Sequence, residues 1–365
     1  MNILIAPDKF KGTLTAQQVC EAIQKGLPND YRATLLPMAD GGEGSLEVIA
    51  NIMEGQWREI EVNDPLFRKM KVQYYLSENT AYIEMSKASG LALLKSNELS
   101  ASKTTTYGTG EMILDAIKQG VKKVYLFIGG SATNDGGIGM AAALGYAFID
   151  KWGNSLKPIG ENLGQIDSII APSLTYSEVE FVVVCDVINP FYGKNGATMI
   201  YGPQKGATGG ALLSLEEGMK NLANVIKKGW GVELEKLSGS GAAGGLGGGA
   251  VVFLGATIES GTKTLIEISG LEEKLRSCDL LITGEGKFDA QSVNGKLIDG
   301  LAALCMKYNK PLWVICGISE FTAEESRNNL EIEKVISLVD ENTSAEHAMS
   351  NGAALIQKRI CECFC

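Results

Sequence analysis

Carboxylates and lysines recur in the glycine-rich turns of this chain, and that pairing is the first sign of chemistry. Asp40, Asp135, Asp186 and Asp289 each fall at a strand end or a glycine turn, with Glu43 and Glu285 close by. Lys9, Lys11, Lys205, Lys287 and Lys296 lie in or beside the same loops. One acidic residue in such a turn is usually a cap, and one lysine is usually a solvated surface group. Six carboxylates in glycine-rich turns are harder to assign to capping. A carboxylate next to a phosphate-binding loop repels phosphate unless a cation lies between, so the pattern points to Mg²⁺. The lysines supply local positive charge that the chain lacks as a whole.

Two stretches have the composition of phosphate loops. Phe127-Ile128-Gly129-Gly130-Ser131-Ala132-Thr133-Asn134-Asp135-Gly136-Gly137 lies between an apolar run and an Ala/Leu-rich run. That order reads as strand, tight turn and helix start, with Ser131, Thr133 and Asn134 at a helix N-terminus, where free N–H groups favour anions. The second stretch, 238–249, is the most glycine-dense, and Gly239-Ser240-Gly241-Ala242-Ala243-Gly244 within it matches GxGxxG. A dinucleotide fold wants that motif after its first strand, and here it lies late, behind a run carrying Glu233 and Glu235. A nicotinamide-dependent oxidoreductase is therefore disfavoured. An anion nest of successive glycine N–H groups, including Gly241, Gly244 and Gly245, is the better reading, with close helix packing through small residues as the structural alternative. No GxxxxGK[ST] occurs: Gly193-Lys194, Gly286-Lys287 and Gly295-Lys296 are followed by Asn, Phe and Leu. The protein-kinase signatures are missing too.

His347 is the sole histidine, on a helical-looking stretch, 344–356. General-base work thus falls to a carboxylate or a lysine. The eight cysteines include Cys361, Cys363 and Cys365 at the tail but no CxxC pair, so they read as reduced thiols on a helix. A formal charge of −10 argues against a nucleic-acid surface. No apolar run approaches a membrane span, and residues 1–12 do not read as a signal peptide, so the expected location is the cytoplasm.

The elements that must position these residues follow an α/β rhythm. Residues 2–6 read as a strand, and Thr15 with Gln18 as a capping box opening a helix whose Val19, Ile23 and Leu27 form one buried stripe. A second strand, 34–36, leads through Asp40-Gly41-Gly42-Glu43-Gly44 into another helix. Short alternating runs at 57–62, 70–76 and 81–85 then read as antiparallel strands. Residues 180–185 form a β-branched strand ending at Asp186, and a helix is expected over about 211–227. Parallel α/β character returns with 280–283, 311–316 and 335–339. The fold class is α/β with two domains. A parallel Rossmann-like domain is formed by both chain ends, residues 1–63 and 264–365, and a mixed α/β domain, 64–263, is inserted in it. The active site is expected in the cleft between them.

Seven motifs, in order, resemble those of the bacterial glycerate kinase family: Ala6-Pro7-Asp8-Lys9-Phe10-Lys11-Gly12, Ala39-Asp40-Gly41-Gly42-Glu43-Gly44, the 129–137 loop, Cys185-Asp186-Val187 with Asn189-Pro190, Gly202-Pro203-Gln204-Lys205-Gly206-Ala207, Gly241-Ala242-Ala243-Gly244-Gly245 and Ile282-Thr283-Gly284-Glu285-Gly286. The resemblance implies a kinase that moves the γ-phosphate of ATP to D-glycerate with Mg²⁺, and it favours the 2-hydroxyl over the 3-hydroxyl. Residue type and placement then assign roles. Asp186 positions or deprotonates the attacking hydroxyl, assisted by Lys9 and Lys11. Asp8, Lys9, Lys11, Asp40 and Lys205 hold substrate. Gly130, Ser131, Thr133, Asn134, Gly241, Gly244, Gly245 and Glu285 hold nucleotide, and Asp289, Asp40 and Glu285 hold the metal. Two positions depart from the family pattern: Leu297-Ile298 where a proline is expected, and Phe191 where leucine is usual. The alternatives are a non-catalytic nucleotide-binding regulator and a kinase of another small hydroxy acid.

Overall fold

Apolar runs that stop at glycine turns build two separate sheets. The computed structural model describes every residue except 40, 43, 174–175, 291, 293–295, 322–329 and 365. Its strands are β1 Asn2–Ile5, β2 Arg32–Leu35, β3 Gln56–Asn63, β4 Lys69–Ser77, β5 Thr80–Glu84, β6 Lys123–Phe127, β7 Ala147–Asp150, β8 Ile166–Ile170, β9 Glu180–Val184, β10 Thr257–Glu259, β11 Leu280–Phe288, β12 Leu312–Ser319 and β13 Lys334–Ser337. The helices are α1 Ala16–Gly26, α2 Ser45–Ile52, α3 Ser86–Ser89, α4 Tyr107–Lys118, α5 Ile138–Ala143, α6 Ala197–Tyr201, α7 Gly209–Trp230, α8 Ala242–Leu254, α9 Gly261–Ile268, α10 Leu271–Ser277, α11 Leu297–Tyr308 and α12 Ala345–Phe364.

The chain divides into two compact units: residues 1–40, 47–53 and 261–365, and residues 41–46 with 54–260. The sequence reading put the changes at 63/64 and 263/264. Strand β3 accounts for the largest single part of the difference, because it pairs along its length with β4 and so belongs to the second sheet.

In the first unit five parallel strands run in the order β13-β12-β11-β1-β2. Sheets of this kind are covered on both faces, which is why their strands read as nearly continuous apolar runs. Leu281, Ile282, Val314 and Ile315 are fully buried. Helix α1 opens as expected: the Thr15 side chain accepts from the Gln18 N–H, and the Gln18 side chain accepts from the Thr15 N–H. Its Val19 and Ile23 are fully buried in the core that also takes Ile356 and Ile360 of α12. Strand β11 is longer than the sequence indicated. It continues through Gly284-Glu285-Gly286 to Phe288, because β12 pairs with it as far as Ser319.

The second unit holds six strands in the order β10-β9-β6-β5-β4-β3. The first three in sequence are antiparallel, as expected. Strand β5 then pairs in parallel with β6, and β6, β9 and β10 continue in parallel. A hairpin of β7 and β8 is an addition that sequence reading did not anticipate. No helix among the described residues is long and apolar enough to cross a membrane.

The capping box supplies a simple check on the first unit. Thr15→Ala removes one of two reciprocal bonds at the α1 N-terminus, and the expected loss is about 1 kcal/mol, read as a lower urea midpoint for this unit.

Candidate active site

The loop after β6 holds the most extensively bonded of the candidate side chains. β6 is a central strand, flanked in parallel by β5 and β9, and its carboxyl end is where ligands bind in sheets of this type. Gly130 is left-handed and exposed, and it turns the chain inward. Ser131 is 8% exposed, and Thr133, Asn134 and Asp135 are fully buried. Asp135 Oδ2 accepts from the Thr106 N–H at 2.7 Å, the Thr106 hydroxyl at 2.8 Å and the Gly139 N–H at 3.2 Å, while Oδ1 accepts from the Gly137 N–H at 3.1 Å. Burial raises its pKa above the usual carboxylate range, against the pull of those four donors. Asp135 is thus a structural residue that joins the N-termini of α4 and α5.

Lys205 comes to the same place from another element, a turn at Pro203–Lys205 that ends at left-handed Gly206. Its Nζ donates to Ser131 Oγ at 2.6 Å and to the Thr133 carbonyl at 2.8 Å. The residue is 2% exposed, and burial pulls its pKa down to about 7, with Asp135 acting in the opposite sense. Asn134 donates through Nδ2 to Thr198 Oγ1 at 3.0 Å. Thr133 Oγ1 and Asn134 Oδ1 are buried with no hydrogen-bond partner among the described residues.

The glycine-rich stretch packs directly on this loop. Ala243, Gly244 and Gly245 are all left-handed at the start of α8. A Cβ at Gly244 would lie 2.0 Å from the Thr133 carbonyl oxygen, and one at Gly241 would lie 2.1 Å from the Pro190 carbonyl oxygen. The Gly136 N–H donates to the Gly244 carbonyl. These glycines let two backbones touch, so close packing explains them as fully as a nest does. Phe191 is fully buried, and its ring occupies the space beside Gly136, Gly245 and Gly248. Leu297 and Ile298, the other departure, are buried at the start of α11.

Asp186 is exposed at the carboxyl end of β9. Its Oδ1 accepts from Ser260 Oγ at 2.7 Å. The loop beyond it is fixed: Asn189 Oδ1 accepts from the Tyr201 hydroxyl, Asn189 Nδ2 donates to the Asn195 carbonyl, and the Gly193 N–H donates to Glu216 Oε1. Asp186 is thus followed by a loop held by side-chain hydrogen bonds.

The first unit carries its own set. Asp8 and Lys9 are half-buried, and Lys11 is exposed. The Asp8 N–H donates to the Gly284 carbonyl, and Asp8 Oδ1 accepts from the Lys9 N–H, so this loop rests on β11. Glu285 is half-buried on β11 opposite Cys316. Asp289, just past the strand, lies 3.4 Å from Lys287 Nζ, which also reaches Glu320 at 2.7 Å. Lys296 precedes α11. Asp40 and Glu43 lie outside the described residues.

Sequence reading missed several supporting groups. Ser260 holds Asp186, Thr198 holds Asn134 and Thr106 holds Asp135. Glu84, 1% exposed at the end of β5, accepts through Oε1 from the Gly44 and Leu46 N–H groups at the start of α2. An acid closing the apolar run Ala81-Tyr82-Ile83 was the available signal for it. His347 is exposed on α12, and Cys363 is a free thiol on the same helix. Among the described residues no group of three or more His, Cys, Asp or Glu side chains gathers as a metal site. The expected consequence of the Asp135 network is that Asp135→Ala strands four buried donors and destabilises the second unit by about 3 kcal/mol or more, visible in a thermal melt.

Comparison with known proteins gives these features a context. Residues 3–364 match the glycerate kinase family. A glycerate kinase of Halalkalibacterium halodurans is 39% identical over 369 residues, covering 98% of this chain and 96% of that protein. The glycerate 2-kinase of Escherichia coli K12 is 41% identical over 324 residues, covering 87% and 85% of the two chains. A crystal structure assigned to glycerate kinase 2 from Salmonella typhimurium LT2 has 36% identity and a TM-score of 0.88, covering 100% of this chain and 97% of that one. The chain belongs to the glycerate kinase family and is a kinase.

Proposed function

We propose that the protein transfers the γ-phosphate of ATP to the 2-hydroxyl of D-glycerate with Mg²⁺. The observation that carries this reading is the exposed Asp186 carboxylate at the carboxyl end of β9, oriented by Ser260, in a chain of this family. The preference for the 2-hydroxyl rests on similarity to the Escherichia coli glycerate 2-kinase.

Phosphoryl transfer asks a protein mainly for positioning and charge neutralisation. Asp186 accepts the proton of the substrate hydroxyl as its oxygen attacks the γ-phosphorus, and the bond to the bridging oxygen breaks to release ADP. The Ser260 hydroxyl, donating to Oδ1, orients this carboxylate. Lys9 and Lys11 hold the substrate carboxylate or the moving phosphoryl group, and Asp8 orients that loop. Ser131, Thr133 and Asn134, at the rim and inside of the loop after β6, serve nucleotide phosphates. Gly130, Gly241, Gly244 and Gly245 allow that loop its shape.

Mg²⁺ keeps most of its waters and takes one or two carboxylates plus phosphate oxygens, so it does not need a cluster of protein ligands. Asp289 and Glu285 are hard oxygen donors of that kind and would hold it, and Asp40 joins them by sequence. When bound, the ion draws charge from the phosphate oxygens. The Lys287 ammonium beside Asp289 would compete with such an ion for the same carboxylate.

The test is ³¹P NMR of the protein with ATP, Mg²⁺ and D-glycerate. A new phosphomonoester signal is expected, and its coupling to one carbon-bound proton marks the 2-position. Coupling to two such protons would move the reaction to the 3-hydroxyl, and unchanged ATP would remove the reading. Asp186→Asn should lower kcat by roughly 10²–10⁴-fold with little change in KM, measured by coupled release of ADP. A near-native kcat would take Asp186 out of that role.

A further inference from the structure

An ammonium group in a protein interior normally faces a carboxylate, because an unpaired buried charge is expensive. Lys205 does not follow that rule. It is 2% exposed, and its two partners, Ser131 Oγ and the Thr133 carbonyl, are neutral. Asp135 is the charged group that acts on it among the described residues, from the loop leading into α5. That carboxyl is already committed to Thr106, Gly137 and Gly139. The residues that follow it pack among uncharged groups: Gly206 lies against the Leu99 carbonyl, and Ala207 packs with Ala101 and Leu215. One of the three ammonium protons has no partner among the described residues.

Two further polar groups on the loop that supplies its partners are unsatisfied. Thr133 Oγ1 and Asn134 Oδ1 are both completely buried and unpartnered among the described residues. The Asn134 amide can be turned over, since Thr198 Oγ1 can either donate or accept; Asn134 would then present an N–H where its oxygen now stands. Lysine, hydroxyl and amide donors of this kind suit a single small anion. Exposed Gly130 and the nearly closed Ser131 form the outer edge of this cluster, so it lies one layer below the surface.

We propose that Lys205, Ser131, Thr133 and Asn134 form one receptor for one anionic oxygen group of the ligands, a phosphoryl or a carboxylate. This deepens the phosphoryl-transfer reading and rests on it, and it replaces two separate assignments, Lys205 to substrate and the loop to nucleotide, by a single subsite. The anion provides the counter-charge that the protein withholds. Binding and protonation are therefore linked. With its pKa held near 7 by burial in the free protein, Lys205 is largely neutral at pH 8. Contact with an anion restores an ordinary lysine value, so binding at pH 8 takes up about 0.9 proton, and at pH 6 only about 0.1. The sign is fixed: affinity for the anion falls as pH rises above 7, by about tenfold between pH 6 and pH 8.

The experiment is calorimetric titration of the full chain at pH 8 with ATP and Mg²⁺, and separately with D-glycerate, each in buffers of differing ionisation enthalpy. Uptake near one proton with ATP assigns the receptor to a phosphoryl group, and the same uptake with D-glycerate assigns it to the carboxylate. Lys205→Met should abolish the uptake and weaken that one ligand by about 10–100-fold, leaving the other ligand's affinity unchanged. Binding of both ligands without proton uptake by the native chain overturns the receptor while leaving the kinase reading intact. Uptake that persists in Lys205→Met also overturns it, since another group would be carrying the proton. If neither ligand binds at all, the kinase reading itself fails.

Discussion

Four donors that converge on one buried carboxyl hold the second unit's candidate site in shape. Asp135 gathers the Thr106 N–H and hydroxyl with the N–H groups of Gly137 and Gly139. The Thr106 hydroxyl in turn accepts from the Met140 N–H. Free N–H groups at helix starts must find acceptors, and here one side chain serves two helices at once. The loop between β6 and α5 can then hold Ser131, Thr133 and Asn134 close to Lys205. That anchor acts together with the Gly136 N–H bond to the Gly244 carbonyl and the Asn134 bond to Thr198.

The second constraint is steric. Where the 241–245 turn meets the 133–136 loop, the backbones approach too closely for any side chain at Gly244. The ring of Phe191 then fills the volume beside the neighbouring glycines. Backbone crossing thus gives the glycine-rich stretch a steric reason for its composition. It also explains why motif reading from glycines alone is ambiguous: the same residues serve a phosphate nest or a backbone crossing, and only the neighbours distinguish them.

Much of the fold was legible, for reasons that differ by element. The parallel strands of the first unit announce themselves because both faces are buried, and α1 does so through Thr15 and Gln18. The place of Asp186 at the end of a strand was legible from the β-branched run before it. Other features were hidden because they depend on partners distant in sequence. Strand β11 outlasts its apolar core because β12 continues beside it, and Glu285 consequently sits within a strand rather than in a turn. β3 belongs to the second sheet because β4 pairs with it, which no local composition reveals. Lys205 looks like a surface lysine in sequence. Its burial arises from the turn at 203–205 meeting a loop more than seventy residues earlier.

The first unit's sheet has a consequence for how the chain comes together. β1 and β11 are neighbours in that sheet, yet Asn2 meets Asp279, 277 positions away. When synthesis has reached residue 260 the second unit has all of its strands, while β1 and β2 still lack β11, β12 and β13. A two-stranded parallel pair has little stability alone. The amino-terminal strand must therefore wait, unpaired on one edge, until the last third of the chain emerges. The long-range closure that follows sets the slow step of assembly. The turn carrying Asp8, Lys9 and Lys11 takes its final shape only then, since its backbone rests on Gly284. Half of the proposed chemistry is thus the last part of the molecule to form.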